Sequence, residues 1–139
     1  MKKVLMLMVL AVIIAAIPAC GQSAGNKSAS ANDGVVKVIY FHGQQRCATC
    51  LAVEKAAKEV FDNQFVDEQQ NGKLKFCVVD FSKPDGEQIA DSYQVAFSSL
   101  IIDKDGKVNN LTDIGFRYAR SAPDEFKARL AAEILKMLE

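Results

Sequence analysis

The feature that most constrains this chain is a pair of cysteines, Cys47-Ala48-Thr49-Cys50, between a predicted strand and a predicted helix. The residues before it, Val35 to Phe41, are almost continuously apolar, which is typical of a strand covered on both faces. The residues after it, Ala48 to Phe65, place apolar side chains at helical spacing. Two cysteines on the first turn of a helix can form a small disulfide, and the unpaired N–H groups there stabilise a thiolate. The pattern therefore indicates a dithiol redox site.

Two neighbours of the pair are candidate modulators of its chemistry. Arg46 immediately precedes Cys47 and adds a positive charge that favours a thiolate. His42 is the only histidine in the sequence, and it could stabilise the thiolate or transfer a proton. The alternative for His42 is a side chain that only caps the end of the strand. Glu54 is expected on a solvated helix face, paired with Lys58.

The N-terminal residues are expected to direct export and not to belong to the fold. Lys2 and Lys3 precede an apolar run that has the build of a secretory signal and is short for a membrane span of about 20 residues. Ile17-Pro18-Ala19-Cys20 then resembles the bacterial lipobox, so residues 1–20 are expected to be a signal peptide with Cys20 as the lipidation site. An ordinarily cleaved, soluble secreted form and a retained anchor helix are the alternatives.

The remaining sequence divides into a tether and one folded domain. Residues 21–34 are small and polar, as in a flexible linker, and residues 35–139 have the length and composition of a single domain. The domain is expected to be a monomer in the bacterial cell envelope, lipid-anchored and facing the periplasm or exterior, where disulfides persist. The 17 basic and 17 acidic side chains balance, so nothing favours nucleic acid as a partner.

After the first helix the patterns continue to alternate between strand and helix. The second strand follows a crossover long enough for parallel pairing, and the last two strands form a hairpin through an Asp-Gly turn. The predicted elements are a strand over Leu74–Phe81, a short helix over Ser82–Tyr93, strands over Leu100–Ile102 and Lys107–Ile114, and a final helix capped by Ser121.

This order of elements, with the cysteine pair at the start of the first long helix, resembles the thioredoxin-like superfamily over about Val35 to Glu139. The resemblance implies an α/β fold with a mixed four-stranded sheet flanked by helices on both faces. By position, Cys47 matches the family's exposed nucleophile and Cys50 its more buried resolving thiol. The resemblance further implies a thiol-disulfide oxidoreductase with no organic cofactor and no metal. Its partners would be protein dithiols or disulfides and a membrane redox partner.

The sequence departs from the family pattern at positions that tune the dithiol. Arg46 replaces an aromatic residue before the first cysteine, and Ala48-Thr49 replaces a frequent Gly-Pro. The cis-proline that faces the dithiol is missing, and the matching position is about Ser98, a third candidate modulator. The buried acid that assists proton transfer would fall near Tyr40 or Phe41, neither of which is an acid. Because the redox potential depends on such neighbours, the direction of electron transfer is left open.

Two other functions are compatible with the same cysteines. Soft thiolates suit Cu(I), so Cys47 and Cys50 could belong to a metal-handling protein. A zinc or copper site that also used His42 and Cys77 would have suitable atoms, but Cys77 lies inside a predicted strand, where a cysteine usually acts as a small buried hydrophobe. A redox-inactive adaptor domain is the third possibility, suggested by Ser98.

Overall fold

The computed structural model describes residues 34–139, so the predicted signal peptide, Cys20 and nearly all of the predicted tether lie outside the described residues. Within residues 34–139, no helix combines the length and apolar character needed to cross a bilayer. The elements are β1 (Val36–His42), α1 (Ala48–Gln64), α2 (Val66–Gln70), β2 (Leu74–Asp80), α3 (Pro84–Ser92), β3 (Ser99–Lys104), β4 (Lys107–Asn110), α4 (Thr112–Tyr118) and α5 (Pro123–Leu138).

The four strands form one mixed sheet in the order β2-β1-β3-β4. β1 runs parallel to β2 and antiparallel to β3, and β4 closes the hairpin against β3. The parallel pair is joined through α1 and α2, because a parallel connection must cross the sheet and return. With helices on both faces, this is a thioredoxin-like α/β fold, and the predicted fold class is confirmed.

Two apolar clusters cover the two faces of the sheet. The larger cluster packs side chains of α1, α4 and α5 against one face, and the smaller cluster packs α3 against the other. Successive residues of β1 alternate between them: Val38 and Tyr40 join the larger cluster, whereas Ile39 and Phe41 join the smaller one. This alternation follows from the two-residue period of a strand. It explains why the sequence of β1 is apolar almost without interruption.

The predicted extent of the fourth strand and the predicted cap of the final helix are both wrong. β4 ends at Asn110, not at Ile114, because the Asn110 side chain accepts a hydrogen bond from the Thr112 N–H at 3.0 Å and α4 begins there. Such a side-chain turn competes with continued strand pairing. α5 has no side-chain cap. The Ser121 hydroxyl instead donates to the carbonyl oxygen of Arg117 at 2.9 Å.

The predicted Asp-Gly hairpin turn joins β3 to β4. Asp105 and Gly106 have φ values of 53° and 84°, and two positive φ angles are what a type I′ turn requires. The buried Asp103 carboxylate accepts the Gly106 N–H at 2.9 Å and the Tyr93 hydroxyl at 2.6 Å. The aspartates of this segment therefore have a structural role in closing the hairpin.

α3 approaches the end of β2 so closely that a side chain at position 86 has no room. A Cβ atom on Gly86 would collide with the backbone carbonyl of Asp80 and would lie 3.2 Å from the backbone nitrogen of Phe81. Because these obstacles are backbone atoms, a change of rotamer cannot relieve the collision. Gly86 therefore sets the distance between α3 and the sheet.

Replacing Gly86 with alanine is expected to destabilise the domain by at least the upper end of the ~1–3 kcal/mol typical of overpacking. The matched control is Gly115→Ala in α4, where the new Cβ would lie 3.4 Å from a methyl group of Val53, an ordinary contact. That control should be neutral or more stable, since alanine favours a helix over glycine by up to about 1 kcal/mol. Urea unfolding followed by circular dichroism measures both. Equal unfolding free energies would contradict the close approach of α3.

Candidate dithiol site

The cysteine pair lies where the chain leaves the carboxyl end of β1 and enters α1. Cys47 is the N-cap of α1, with an extended backbone, and its sulfur accepts a hydrogen bond from the Cys50 N–H at 3.1 Å. The first N–H groups of a helix have no partner within the helix, and an N-cap side chain usually satisfies one of them through oxygen. Here the Cys47 sulfur makes that bond. The helix start and the reactive sulfur are therefore one structural unit.

The two sulfur atoms lie 2.7 Å apart, and both cysteines are free thiols. Cys47 is exposed, whereas Cys50 is only 6% exposed. Since the sulfurs of a disulfide are about 2.05 Å apart, the pair can close with little movement of the backbone. The structure therefore brings the two predicted cysteines together, with one sulfur within reach of a partner and the other shielded.

Hydrogen bonding lowers the pKa of Cys47. The largest contribution comes from the Cys50 thiol and the next from the Cys50 backbone N–H. Both groups donate toward the Cys47 sulfur and so stabilise its thiolate relative to the thiol. The first turn of α1 therefore provides the predicted thiolate stabilisation through Cys50.

Arg46 is held by an ion pair with Glu54, which connects the loop before Cys47 to the second turn of α1. The predicted pairing of Glu54 with Lys58 is wrong, because Lys58 instead pairs with Asp62 at 2.6 Å. The Arg46 and Glu54 side chains are 25% and 29% exposed, so the pair is partly shielded from water. It fixes the loop that leads into Cys47, and much of the Arg46 charge is balanced by Glu54.

Ser98, the predicted neighbour of the dithiol, does reach it. Its hydroxyl oxygen lies 3.9 Å from the Cys50 sulfur, in the segment just before β3. No cis peptide bond occurs among residues 34–139. A serine preceded by a trans peptide therefore occupies the place where the family resemblance implies a cis-proline.

His42 is the last residue of β1 and does not belong to the loop. Its Nδ1 lies 3.0 Å from the carbonyl oxygen of Gly43, and its ring centroid lies 6.3 Å from that of Tyr40. Within the described part of the chain it makes no hydrogen bond to Cys47 or Cys50. The geometry favours the strand-end interpretation of His42, and its role as a modulator stays a prediction.

Tyr40, which the family resemblance placed near the position of the buried acid but to which it gave no role, contacts the dithiol. Its side chain is fully buried, and its hydroxyl donates to the backbone carbonyl of Cys50 at 2.9 Å. Burial raises the pKa of Tyr40 well above its usual range, and the neighbouring Cys50 adds to that rise. The available signal was the strand period: Tyr40 shares a face of β1 with Val38, and α1 had to cover one of the two faces.

A cavity of about 560 Å³ opens beside Ser98. Because Ser98 also contacts Cys50, this cavity adjoins the dithiol. Phe97 at its edge is 66% exposed, an unusual position for a large aromatic side chain. The residues that line the cavity are Phe97, Ser98, Asn110, Thr112, Asp113 and Phe116.

The four-ligand metal site considered from the sequence is not formed. No group of three or more His, Cys, Asp or Glu side chains between residues 34 and 139 could hold a metal ion. Cys77 is buried in β2 and belongs to the smaller apolar cluster, on the face of the sheet opposite α1. Of those four residues, Cys47 and Cys50 have sulfur atoms that lie 2.7 Å apart.

No protein-family model matches the sequence, and no curated protein matches it significantly. Several solved structures are similar to it. A malarial protein is 19% identical, with 76% of this chain and 99% of that chain covered and a TM-score of 0.51. A thioredoxin from Fasciola hepatica is 20% identical, with 76% and 84% covered and a TM-score of 0.49. A thioredoxin from Trypanosoma brucei brucei is 16% identical, with 76% and 79% covered and a TM-score of 0.45. At these identities the likeness concerns the fold alone.

Proposed function

We propose that this chain is a membrane-tethered thiol-disulfide oxidoreductase of the bacterial cell envelope that exchanges disulfides with protein substrates. The observation that carries the proposal is the pair of sulfurs 2.7 Å apart at the start of α1, one exposed and the other buried. Cys47 is the nucleophile of this proposal, and Cys50 is the resolving thiol. The thioredoxin-like sheet order supports the same assignment.

Reduction of a substrate disulfide would proceed in two exchange steps. The Cys47 thiolate attacks one substrate sulfur, a mixed disulfide forms, and the other substrate sulfur leaves with the electron pair. The Cys50 thiolate then attacks the Cys47 sulfur, the internal disulfide forms, and the second substrate sulfur leaves as a thiolate. The substrate gains two electrons, which a membrane redox partner must return to the pair. The reverse sequence oxidises a substrate dithiol.

The geometry suits each cysteine to its step. Cys47 is exposed and its pKa is lowered by hydrogen bonds from Cys50, so a partner meets a sulfur with increased thiolate character. Cys50 is shielded from external disulfides but lies next to the Cys47 sulfur. Such proximity makes an intramolecular attack far faster than attack by a thiol from solution.

The test is the equilibrium between the dithiol and the disulfide at Cys47 and Cys50, measured across a glutathione or dithiothreitol series. Alkylation followed by peptide mass spectrometry separates this pair from Cys20 and Cys77. A reduction potential of about −270 mV, like that of thioredoxin, would indicate a reductant. A reduction potential of about −120 mV would indicate an oxidant. A pair that does not cycle in any buffer of the series would contradict the proposal.

The same two thiols support Cu(I) binding as the competing function, because soft thiolates suit that ion. Stoichiometric Cu(I) binding that survives competition, combined with absent disulfide exchange, would favour it. A redox-inactive adaptor would be indicated if Cys47→Ser left the cellular phenotype unchanged. The redox titration and these two measurements therefore separate the three functions.

The Cys50→Ala variant is expected to raise the pKa of Cys47, because it removes the hydrogen bond that makes the largest contribution to its lowering. The rate of Cys47 alkylation by iodoacetamide should therefore reach its plateau at a higher pH than in the wild type. Part of the lowering should persist, because the backbone N–H of residue 50 still donates to the Cys47 sulfur.

Leu51→Ala is the matched control for this measurement. Leu51 lies in the same turn of α1 with a side chain that is 51% exposed, so its removal should leave the alkylation profile of Cys47 in place. Identical profiles for Cys50→Ala and the wild type would show that the Cys50 thiol does not tune Cys47.

Membrane tethering is supported by the lipobox-like pattern at residues 17–20. In a bacterial host, Cys20→Ser is expected to abolish incorporation of labelled palmitate and to move the protein from the membrane fraction to the soluble fraction. Cys47→Ser is the control, since it also removes one cysteine but leaves the pattern intact. Equal labelling of the two variants would contradict lipidation at Cys20.

A further inference from the structure

We propose that Tyr40 is a positioning residue for the resolving thiol: its buried hydroxyl holds the first turn of α1 and donates to the Cys50 thiolate during resolution of the mixed disulfide. This inference rests on the proposed oxidoreductase function.

The position of the Tyr40 hydroxyl is fixed by the sheet. Tyr40 lies in β1, between its register partners Val78 of β2 and Leu100 of β3, and its side chain is fully buried. From there the hydroxyl donates to the Cys50 carbonyl at 2.9 Å, and the neighbouring Cys50 thiol contributes to the raised pKa of Tyr40. Because β1 is hydrogen-bonded to strands on both sides, its position is fixed. The Tyr40 hydroxyl therefore fixes the position of the Cys50 backbone relative to the sheet.

Tyr40 can act as a donor but not as a base. Burial raises the pKa of Tyr40 well above its usual range, so the phenol keeps its proton at physiological pH. A phenol has one proton, which can point to the Cys50 carbonyl or to its sulfur but not to both. When the Tyr40 proton points to the sulfur, the Cys50 carbonyl still accepts its hydrogen bond from a backbone N–H within α1. A thiolate on Cys50 would attract that proton, because hydrogen bonds to charged acceptors are stronger.

The mixed disulfide is the state in which this donor matters most. In that state the Cys47 sulfur is bonded to the substrate and has no proton to donate, although it lies 2.7 Å from the Cys50 sulfur in the free dithiol. The Ser98 hydroxyl is more distant, at 3.9 Å. Tyr40 is thus the buried neutral donor that persists on the strand side of Cys50.

The charged and titratable groups around this arrangement come from each element that packs against it. Arg46 is balanced by Glu54, and Asp113, which lines the cavity beside Ser98, pairs with Arg117 at 3.0 Å. The groups are Tyr40 and His42 from β1, Arg46 from the loop, Cys47 and Glu54 from α1, and Asp113 from α4.

In the resolving step, the Cys50 thiol loses its proton to water, and the resulting thiolate accepts the hydrogen bond from Tyr40. Cys50 attacks the Cys47 sulfur, the Cys47–Cys50 bond forms, and the bond from Cys47 to the substrate sulfur breaks. The substrate sulfur leaves with the electron pair and takes a proton from water. Tyr40 keeps its own proton throughout.

The experiment compares Tyr40→Phe with the wild type in the full chain, with an aromatic disulfide, 5,5′-dithiobis(2-nitrobenzoate), as the probe. Attack by Cys47 releases one coloured thiolate, and resolution by Cys50 releases a second, so stopped-flow absorbance separates the two steps. Subtraction of a Cys47→Ser trace removes the signal from other cysteines. The first phase should stay within about twofold of the wild type, because Cys47 and its donors are intact.

The second phase of Tyr40→Phe should slow by about tenfold, as expected for loss of one hydrogen bond to a charged group. The pH at which this phase reaches half its maximum should rise, because the thiolate is less stabilised. Tyr93→Phe is the matched control: it also removes a partly buried tyrosine hydroxyl, which donates to Asp103 at 2.6 Å, but from the smaller cluster on the other face of the sheet. Both phases should be unchanged in that variant.

A second variant covers the case in which Tyr40→Phe does not fold. Site-specific replacement of Tyr40 by 3,5-difluorotyrosine keeps the ring and hydroxyl but makes the hydroxyl a stronger donor. It should lower the pH midpoint of the second phase. An unchanged second phase and midpoint in these variants, or equal slowing of both phases, would overturn the role of Tyr40. A wild type with no second phase would overturn the oxidoreductase proposal itself.

Discussion

The packing of α1 across the central strand β1 is the constraint on which the rest of this structure depends. β1 is buried on both faces, and its alternate residues support the two apolar clusters. Tyr40, on the face toward α1, bonds to the carbonyl of Cys50 and so joins strand to helix at the dithiol. Cys47 lies at the N-cap of α1 and is exposed to solvent, whereas Cys50, one turn further along, is buried against β1.

The site stabilises a thiolate mainly with hydrogen bonds and not with an unpaired charge. Arg46 is paired with Glu54, and the pKa of Cys47 is lowered by the thiol and backbone N–H of Cys50. Short-range donors in a fixed helix turn depend little on salt, whereas an exposed arginine would be screened. The Ser98 hydroxyl lies 3.9 Å from the Cys50 sulfur, and the Tyr40 hydroxyl donates to the Cys50 carbonyl. These contacts of Cys50 are made by neutral groups whose positions the fold determines.

Much of the fold could be predicted because its signals are local. The strand period of β1, the helical period of α1 and the Asp105-Gly106 turn each act within a few residues. The predicted end of β4 failed because a turn at Asn110 ended the strand, and such turns compete with pairing on nearly equal terms. Helical spacing predicted an ion pair between Glu54 and Lys58. Glu54 instead pairs with Arg46, which precedes the helix.

The pairing of Cys47 with Cys50 is a property of spacing, because an i,i+3 pair at a helix start meets wherever that helix forms. The class of fold was implied by the resemblance of the element order to a known family. The contacts of Tyr40, Ser98 and Gly86 depend on segments far apart in the chain, which only packing brings together. Local sequence patterns predict which face of a strand is apolar, but they do not predict which atoms of other segments contact each residue. For that physical reason the cysteines were identifiable from their spacing and Ser98 only through the family resemblance, whereas the bond from Tyr40 to Cys50 required the folded structure.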